Sequence, residues 1–96
     1  MRWEWDDEKN RKNKRKHGLS FEAARYVFSD PLALTQLDPY AEEERYQTVG
    51  LVGRQVVLVV HTWPKVTRET NEETGRLISA RKATAYERRA YEEGTF

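Results

Sequence analysis

Residues 55–63 constrain the fold of this chain more than any other segment. Within them, residues 56–60 are four valines and one leucine without a polar interruption. Such a run puts apolar side chains on both faces of an extended strand, which is typical of a strand inside a sheet. It is far too short to cross a membrane. We therefore expect a β-sheet in which residues 55–63 form the central strand.

The other predicted strands are short and are joined by polar loops. The clearest is residues 2–5, Arg-Trp-Glu-Trp, whose two tryptophans lie on one side of an extended chain. Further strands are predicted at residues 32–37, 45–52 and 76–81. Residues 64–75 indicate a polar loop or the end of a long hairpin. Short links between consecutive strands favour an antiparallel meander over parallel βαβ units.

Three helices are predicted from their caps and from the spacing of apolar residues. The first covers residues 6–17, and the second covers residues 21–28. The third follows Thr84, which has the spacing of a capping box with Glu87. The expected fold is α+β, a compact antiparallel sheet with two N-terminal helices and one C-terminal helix packed on one face.

The length and the residue types exclude several classes of protein. Ninety-six residues suffice for one domain, residues 1–96. The chain has no cysteine, so disulfides and thiolate zinc sites are excluded, and two histidines cannot complete an ordinary zinc site. We therefore expect no metal and no cofactor. The N-terminus lacks the apolar core of a signal peptide, which predicts a cytoplasmic protein without membrane contact.

The charges are segregated, although the net charge is only +1. Residues 9–17 carry six lysines and arginines and no acid, whereas residues 38–44 carry four acids and no base. Basic residues return near the C-terminus at Arg76, Arg81, Lys82, Arg88 and Arg89. Concentrated lysines and arginines predict contact with RNA despite the neutral total.

The first predicted helix is polar all round. It has little to bury, so it either packs through the stems of its lysines and arginines or frays until a partner holds it. Lys9, Asn13 and Lys16 are spaced by four and three residues and share one helical face. Two ammonium groups flanking an amide suit RNA phosphates. The alternative is an ordinary solvated helix.

The last predicted strand carries two arginines and a serine. Strict alternation puts Ser79 and Arg81 on the same face as Leu77, with Arg76 on the other face. Each guanidinium can present a fork of donors to a phosphate. The alternative is a structural ion pair with a glutamate, namely Glu22, Glu44 or Glu87.

The residues before the strand at 45–52 and the two histidines leave further alternatives. Glu43 and Glu44 precede Arg45, so an acid there could position a catalytic arginine or form a solvent-facing rim. His17 ends the first helix, where it can act as a general acid or cap the helix. His61 lies late in the central strand, which favours hydrogen bonding in the core over catalysis.

Taken together, these segments resemble the BrnT family of toxins from bacterial toxin–antitoxin pairs. The resemblance runs from about residue 5 to residue 94. It is carried by Trp5-Asp6, Lys9, Asn13, Lys16-His17-Gly18, Ser20-Phe21-Glu22, Asp30-Pro31, Glu44-Arg45, Arg76-Leu77-Ile78-Ser79-Ala80-Arg81 and Glu87-Arg88-Arg89. The chain departs from the family pattern in a longer stretch at residues 63–75 and in a more uniformly charged first helix.

The resemblance implies a RelE-like fold and a ribonuclease that inhibits translation. It also implies a ribbon-helix-helix antitoxin that neutralises the toxin in a heterotetramer of two toxins and two antitoxins. In this picture, operator DNA is contacted only through the antitoxin.

A metal-independent mechanism is the corresponding hypothesis, in which the RNA 2′-hydroxyl attacks the adjacent phosphorus. Arg81 and Arg76 stabilise charge, and Ser79 positions a phosphate oxygen. Glu44 or His17 acts as base or acid. Lys9, Asn13, Lys16 and Arg45 bind RNA. The alternatives are a nucleic-acid-binding module without turnover and a protein-interaction domain that docks an acidic partner through the same basic surface.

Overall fold

The computed structural model of this chain describes residues 1–39, 42, 44–66, 68–69 and 71–96. Its strands are β1 (Arg2–Glu4), β2 (Leu34–Leu37), β3 (Tyr46–Val52), β4 (Gln55–His61), β5 (Lys65–Val66) and β6 (Glu73–Lys82). Its helices are α1 (Asp7–His17), α2 (Phe21–Ala24) and α3 (Ala85–Glu93), with a 3₁₀ helix over Arg25–Ser29. The α+β fold class is confirmed. Parts of the predicted loops at 38–44, including Glu43, and at 64–75 lie outside the described residues.

The sheet has the order β1-β6-β4-β3-β2, which confirms β4 as the central strand. Strands β2, β3, β4 and β6 pair antiparallel, as the short links predicted. Strand β1 differs because it pairs parallel with β6, with Arg2 opposite Thr74. Parallel pairing requires a long connection, and nearly the whole chain lies between these two strands. Strand β5 adds an antiparallel pairing to the start of β6.

One face of the sheet is covered by α2 and the 3₁₀ helix. Phe21, Ala24 and Val27 lie on one helical stripe and are fully buried. They pack against four buried residues of the sheet, Val57, Val59, Leu77 and Ala80. The predicted helix at 21–28 is therefore present as an α-helix that tightens into a 3₁₀ helix. We refer to this side of the sheet as the helix face.

Two asparagine amides hold the polar helix α1 in place. The Asn13 amide nitrogen donates to the carbonyl oxygens of Ala80 at 2.7 Å and Leu19 at 2.9 Å, and its oxygen accepts from the Ala80 N–H at 3.2 Å. The Asn10 oxygen accepts from the Phe21 N–H at 2.8 Å. Asn13 thus pairs with the edge of β6 as a neighbouring strand would.

The helix α3 lies on the opposite side of the sheet. Val49 and Leu58 are paired across β3 and β4 on that side and are almost completely buried, so something must cover them. Helix α3 packs against β3. Its Tyr91 hydroxyl donates to the Asp30 carboxylate at 2.6 Å, beyond the end of β2. The prediction that all helices share one face is therefore wrong for α3.

Candidate functional site

A β-bulge in β6 decides which face carries the candidate residues. Val60 is opposite Ser79, but the next residue, His61, is opposite Leu77, so β6 uses one extra residue, Ile78. Beyond the bulge the alternation is reversed. As a result Leu77 joins the core of the helix face, and Arg76 lies on the side away from it.

Ser79 and Arg81 also lie away from the helix face. They are opposite Val60 and Leu58, which alternate along β4 with Val57 and Val59, the residues that face the helices. The prediction that Arg76 lies on the other face from Ser79 and Arg81 is therefore wrong. Strict alternation cannot anticipate a bulge, and here the bulge gathers three candidate residues on one surface. We call that surface the open face.

A polar row crosses the sheet at one end of the open face. Arg76 is paired with Glu4 of β1, and its backbone N–H donates to the Thr62 hydroxyl at 3.0 Å. The Thr62 N–H in turn donates to the Arg76 carbonyl oxygen at 3.0 Å. Arg45 precedes Tyr46, which is opposite His61, so Arg45 comes opposite Thr62. Neighbouring members of this row are about 4.8 Å apart along the hydrogen-bonding direction.

The other candidates on β6 lie progressively farther from this row. Ser79, opposite Val60, is about 7 Å along the strands, and Arg81, opposite Leu58, is about 13 Å along them. Gln47 lies opposite Val60 and accepts a hydrogen bond from Gln36 at 3.1 Å, which adds an amide pair to the middle of the open face. Arg76 and Arg81 therefore mark two ends of the face rather than a single phosphate site.

Arg81 forms a two-pronged ion pair with Glu87 of α3. Its Nη1 and Nη2 lie 2.7 Å and 3.0 Å from the two carboxylate oxygens. The hydrogen bonds from Arg81 lower the pKa of Glu87, and the same bonds raise the pKa of Arg81. Glu87 also accepts from the Thr84 N–H at 2.9 Å in a complete capping box. This is the ion-pair alternative left open by the sequence, and it anchors the start of α3.

Glu44 lies next to Arg45, but its side chain is on the helix-face side, because it bonds to Tyr46, which is opposite His61. Its carboxylate accepts a hydrogen bond from the Tyr46 hydroxyl at 2.8 Å, which raises the pKa of Tyr46. The Tyr46 ring lies 5.1 Å from the ring of Trp63, between centroids. An exposed acid, a phenol and an indole thus stand together where β3 begins and β4 ends.

His61 lies in the core, as favoured from the sequence. Its Nδ1 is 2.8 Å from the Thr62 carbonyl oxygen, so this nitrogen carries the proton and Nε2 accepts from the Thr48 hydroxyl at 2.6 Å. The Thr35 hydroxyl is 2.7 Å from that of Thr48. Burial lowers the pKa of His61 and favours the neutral ring.

The candidates on α1 are divided by the structure. Asn13 is buried and its amide is engaged with Ala80, so its assignment as an RNA contact is replaced by a structural role. Lys9 and Lys16 are exposed on either side of it. Lys16 lies one turn beyond Asn13, at the Arg81 end of the sheet. His17 is half-buried as the last residue of the helix.

Sequence reasoning missed the two residues that fix α1, Asn10 and Asn13, as structural elements. The available signal was their spacing of three residues on a helix without apolar side chains, since a buried amide can replace apolar contacts only by bonding to backbone groups.

The sequence indicated Asp30 only as part of a helix end. Its carboxylate also accepts from the Leu51 N–H at 2.8 Å and from Tyr91.

Two possible features are not found in the described part of the chain. There, no group of three or more histidine, cysteine, aspartate or glutamate residues could hold a metal ion. Within the same residues, no helix is long and apolar enough to cross a membrane.

A small α+β domain that presents arginines, hydroxyls and amides on one face of its sheet has groups of the kind that contact RNA phosphates and sugars. Comparison with known protein families makes this more specific. Residues 5–87 match the BrnT toxins, described as ribonuclease toxins of type II toxin–antitoxin systems. The chain therefore belongs to the BrnT family, and membership implies an RNA target and an antitoxin partner. No curated protein matches the chain.

Proposed function

We propose that this chain is an endoribonuclease that cleaves RNA without a metal ion and thereby inhibits translation. The observation that carries the proposal is the open face, where the bulge in β6 brings Arg76, Ser79 and Arg81 to one side of the sheet, with α3 covering only the Arg81 end. Membership of a ribonuclease family supports RNA as the substrate.

The chemistry requires three contributions from the protein. The 2′-hydroxyl attacks the neighbouring phosphorus while a base takes its proton, and the P–O5′ bond breaks as an acid protonates the leaving oxygen. The products are a 2′,3′-cyclic phosphate and a free 5′-hydroxyl. Cations and hydrogen-bond donors must also stabilise the extra negative charge that develops on the phosphoryl oxygens.

The polar row containing Arg76 is the proposed position of the scissile phosphate. Arg76 and Arg45 supply positive charge from two strands, and the Thr62 hydroxyl lies between them. Glu44, at the same end of β3, is the proposed base for the 2′-hydroxyl, and to reach it the carboxylate must turn away from Tyr46. Ser79, one row away, is placed to bind a phosphoryl oxygen.

The residues at the far end of the open face act on the flanking backbone. A separation of about 13 Å along the strands prevents Arg81 from sharing the Arg76 phosphate without a large rearrangement. Arg81 remains a phosphate ligand through the N–H groups that Glu87 does not use. Lys16 and Lys9 bind neighbouring phosphates from α1, and His17 is the alternative acid at that end.

A cleavage assay with purified variants tests these roles. Arg76→Ala should lower the rate on single-stranded RNA by about 10²–10³, because it removes a principal charge stabiliser. Arg54→Ala is the matched control, since Arg54 is exposed in the turn between β3 and β4. The reaction should persist in EDTA and leave a cyclic phosphate. Equal rates for Arg76→Ala and the parent, or loss of activity in EDTA, would contradict the mechanism.

Arg81 and Glu87 need a paired test because the arginine also anchors α3. A purely structural arginine predicts that Arg81→Ala and Glu87→Ala lose stability and activity to the same extent. An RNA contact predicts that Arg81→Ala loses more activity than Glu87→Ala at equal folded fraction. The second result is expected, and equal losses would remove Arg81 from the binding surface.

The proposed partner is a ribbon-helix-helix antitoxin that forms a heterotetramer with two toxins. Induction of this chain alone should arrest bacterial growth, and co-expression of a small ribbon-helix-helix protein from the adjacent reading frame should restore it. Light scattering on the purified complex measures the stoichiometry. Undiminished growth with folded chain in the cell would count against an active toxin.

A further inference from the structure

Trp63 is a large aromatic residue that the fold leaves exposed. It follows β4, the residue is 55% accessible, and its ring contacts Tyr46, which lies on the helix-face side. The other two tryptophans are half-buried and pack against the core of the helix face. Because an exposed indole contributes little to the core, its position beside the polar row of the open face suggests a role in binding.

A cavity of about 300 Å³ opens between Trp63 and that row. Its wall combines one aromatic ring with two cationic side chains, a carboxylate and hydroxyl groups. The residues are Glu4, Thr62, Trp63, Lys65, Thr74, Gly75 and Arg76. A pocket of this volume is at the lower end of the range for small-molecule sites, which suits a single nucleotide.

We infer that this cavity is a subsite for one nucleotide of single-stranded RNA, with its base stacked on the Trp63 indole. The inference rests on the proposed function and adds the residue that positions the substrate next to Arg76. The adjoining phosphate contacts Arg76 and Lys65, and the threonine hydroxyls face the sugar. Stacking tolerates every base, because each base has a π face, so Trp63 positions the strand without selecting its sequence.

The composition of the wall favours a nucleotide over a protein side chain. An apolar side chain would leave two cations and a carboxylate desolvated beside it, which is costly. A nucleotide offers a planar base for the aromatic ring, hydroxyls for the threonines and the carboxylate, and an anionic phosphate for the two cations.

Fluorine NMR on protein labelled with 5-fluorotryptophan reads the stacking directly. The chain has three tryptophans, and the Trp63 signal is identified by its disappearance in Trp63→Phe. The probe is a mixed-sequence DNA decamer, which lacks the 2′-hydroxyl and cannot be cleaved by the proposed route. Titration should shift the Trp63 signal and leave the signals of Trp3 and Trp5 in place. A Trp63 signal that stays fixed while the decamer binds overturns the subsite.

Affinity measurements with the same decamer give the magnitude. Trp63→Ala and Trp63→Leu should each weaken binding by about 5- to 140-fold, the effect expected for one base stacked on an aromatic ring. Trp63→Phe should recover most of the loss. The matched control is Tyr26→Ala, which removes an aromatic that is equally exposed, at 55%, but lies on the 3₁₀ helix. Equal affinities for Trp63→Leu and Tyr26→Ala would refute the assignment.

Two further outcomes separate this inference from the proposed function. If the parent cleaves RNA and Trp63→Leu cleaves it with the same KM, the subsite is wrong and the ribonuclease stands. If the decamer shifts Trp63 but the parent never cleaves RNA, the subsite stands and the proposed function fails. If Trp63→Leu loses affinity for the antitoxin alone, the cavity belongs to the protein partner and the inference is overturned.

Discussion

Removal of the Asn13 amide should destabilise this fold more than any other change on α1. The helix contributes no apolar side chain, and Asn13 is its buried residue among those described. Asn13→Ala leaves the N–H and carbonyl oxygen of Ala80 without their partners and also frees the carbonyl oxygen of Leu19. These backbone groups lie at the joint between α1 and β6, where water replaces the amide only in part.

The expected loss follows from the bonds that Asn13 makes. A buried polar group left unsatisfied costs about 1–3 kcal/mol. The two Ala80 groups are buried, whereas the Leu19 oxygen is partly exposed and can bind water. We therefore expect a loss of about 3 kcal/mol in the free energy of unfolding. In a domain of this size that corresponds to a fall of roughly 12–24 °C in Tm.

Urea unfolding followed by circular dichroism measures this loss. Lys12→Ala is the control on the same helix, since its exposed pair with Glu8 at 3.6 Å is worth only a few tenths of a kcal/mol. Asn13→Asp keeps the shape but cannot donate to either carbonyl, so it should be at least as destabilising as alanine at neutral pH. If Asn13→Ala lies within about 1 kcal/mol of the parent, the amide does not hold α1.

Three other predictions concern two groups whose pKa the fold changes and one glycine that packs against a tryptophan ring. Burial lowers the pKa of His61, so the unfolded chain binds a proton at His61 more readily than the folded chain does. The free energy of unfolding should therefore fall as the pH drops below about 6.5. His61→Gln should flatten that part of the pH profile measured by urea unfolding. The bond to Asp30 raises the pKa of Tyr91 to about 12 from its usual 10.0, so its contribution is complete below pH 10 and is lost towards pH 12. Tyr91→Phe should remove that alkaline loss, as measured by thermal unfolding at each pH. A Cβ on Gly75 would lie 2.8 Å and 2.9 Å from two Trp3 ring atoms, so Gly75→Ala should cost about 1–3 kcal/mol and change the near-ultraviolet circular dichroism.

The central strand was predictable because one physical cause dominates it. Residues 56–60 are apolar on both faces, and no position except the interior of a sheet satisfies them. The parallel pairing of β1 was not predictable in this way. Arg2 and Thr74 are far apart in sequence, and a strand of three residues does not indicate the direction of its partner. Local patterns specify elements, whereas long-range pairing depends on the whole core.

The candidate site shows the same limit more sharply. Arg76, Ser79 and Arg81 could be chosen as candidates from the sequence. Their position on one shared face could not, because it depends on one extra residue in β6, Ile78. A bulge leaves no reliable mark on an alternating sequence. The engagement of Arg81 with Glu87 could be anticipated only as one of three possible ion pairs, since each required a different fold.

The structural use of acids explains how a nearly neutral chain can present a basic surface. Asp6 caps α1 by accepting from the backbone, and these bonds lower its pKa. Glu22 accepts from Asn10, Asp30 joins β3 to α3, and Glu87 holds Arg81. Each of these carboxylates is bonded to donors within the fold, at the ends and joints of the elements, where N–H and O–H groups require an acceptor. Lysine has no acceptor atom to offer such sites. The lysines and arginines of α1 therefore remain at the surface, where they are available to an anionic partner.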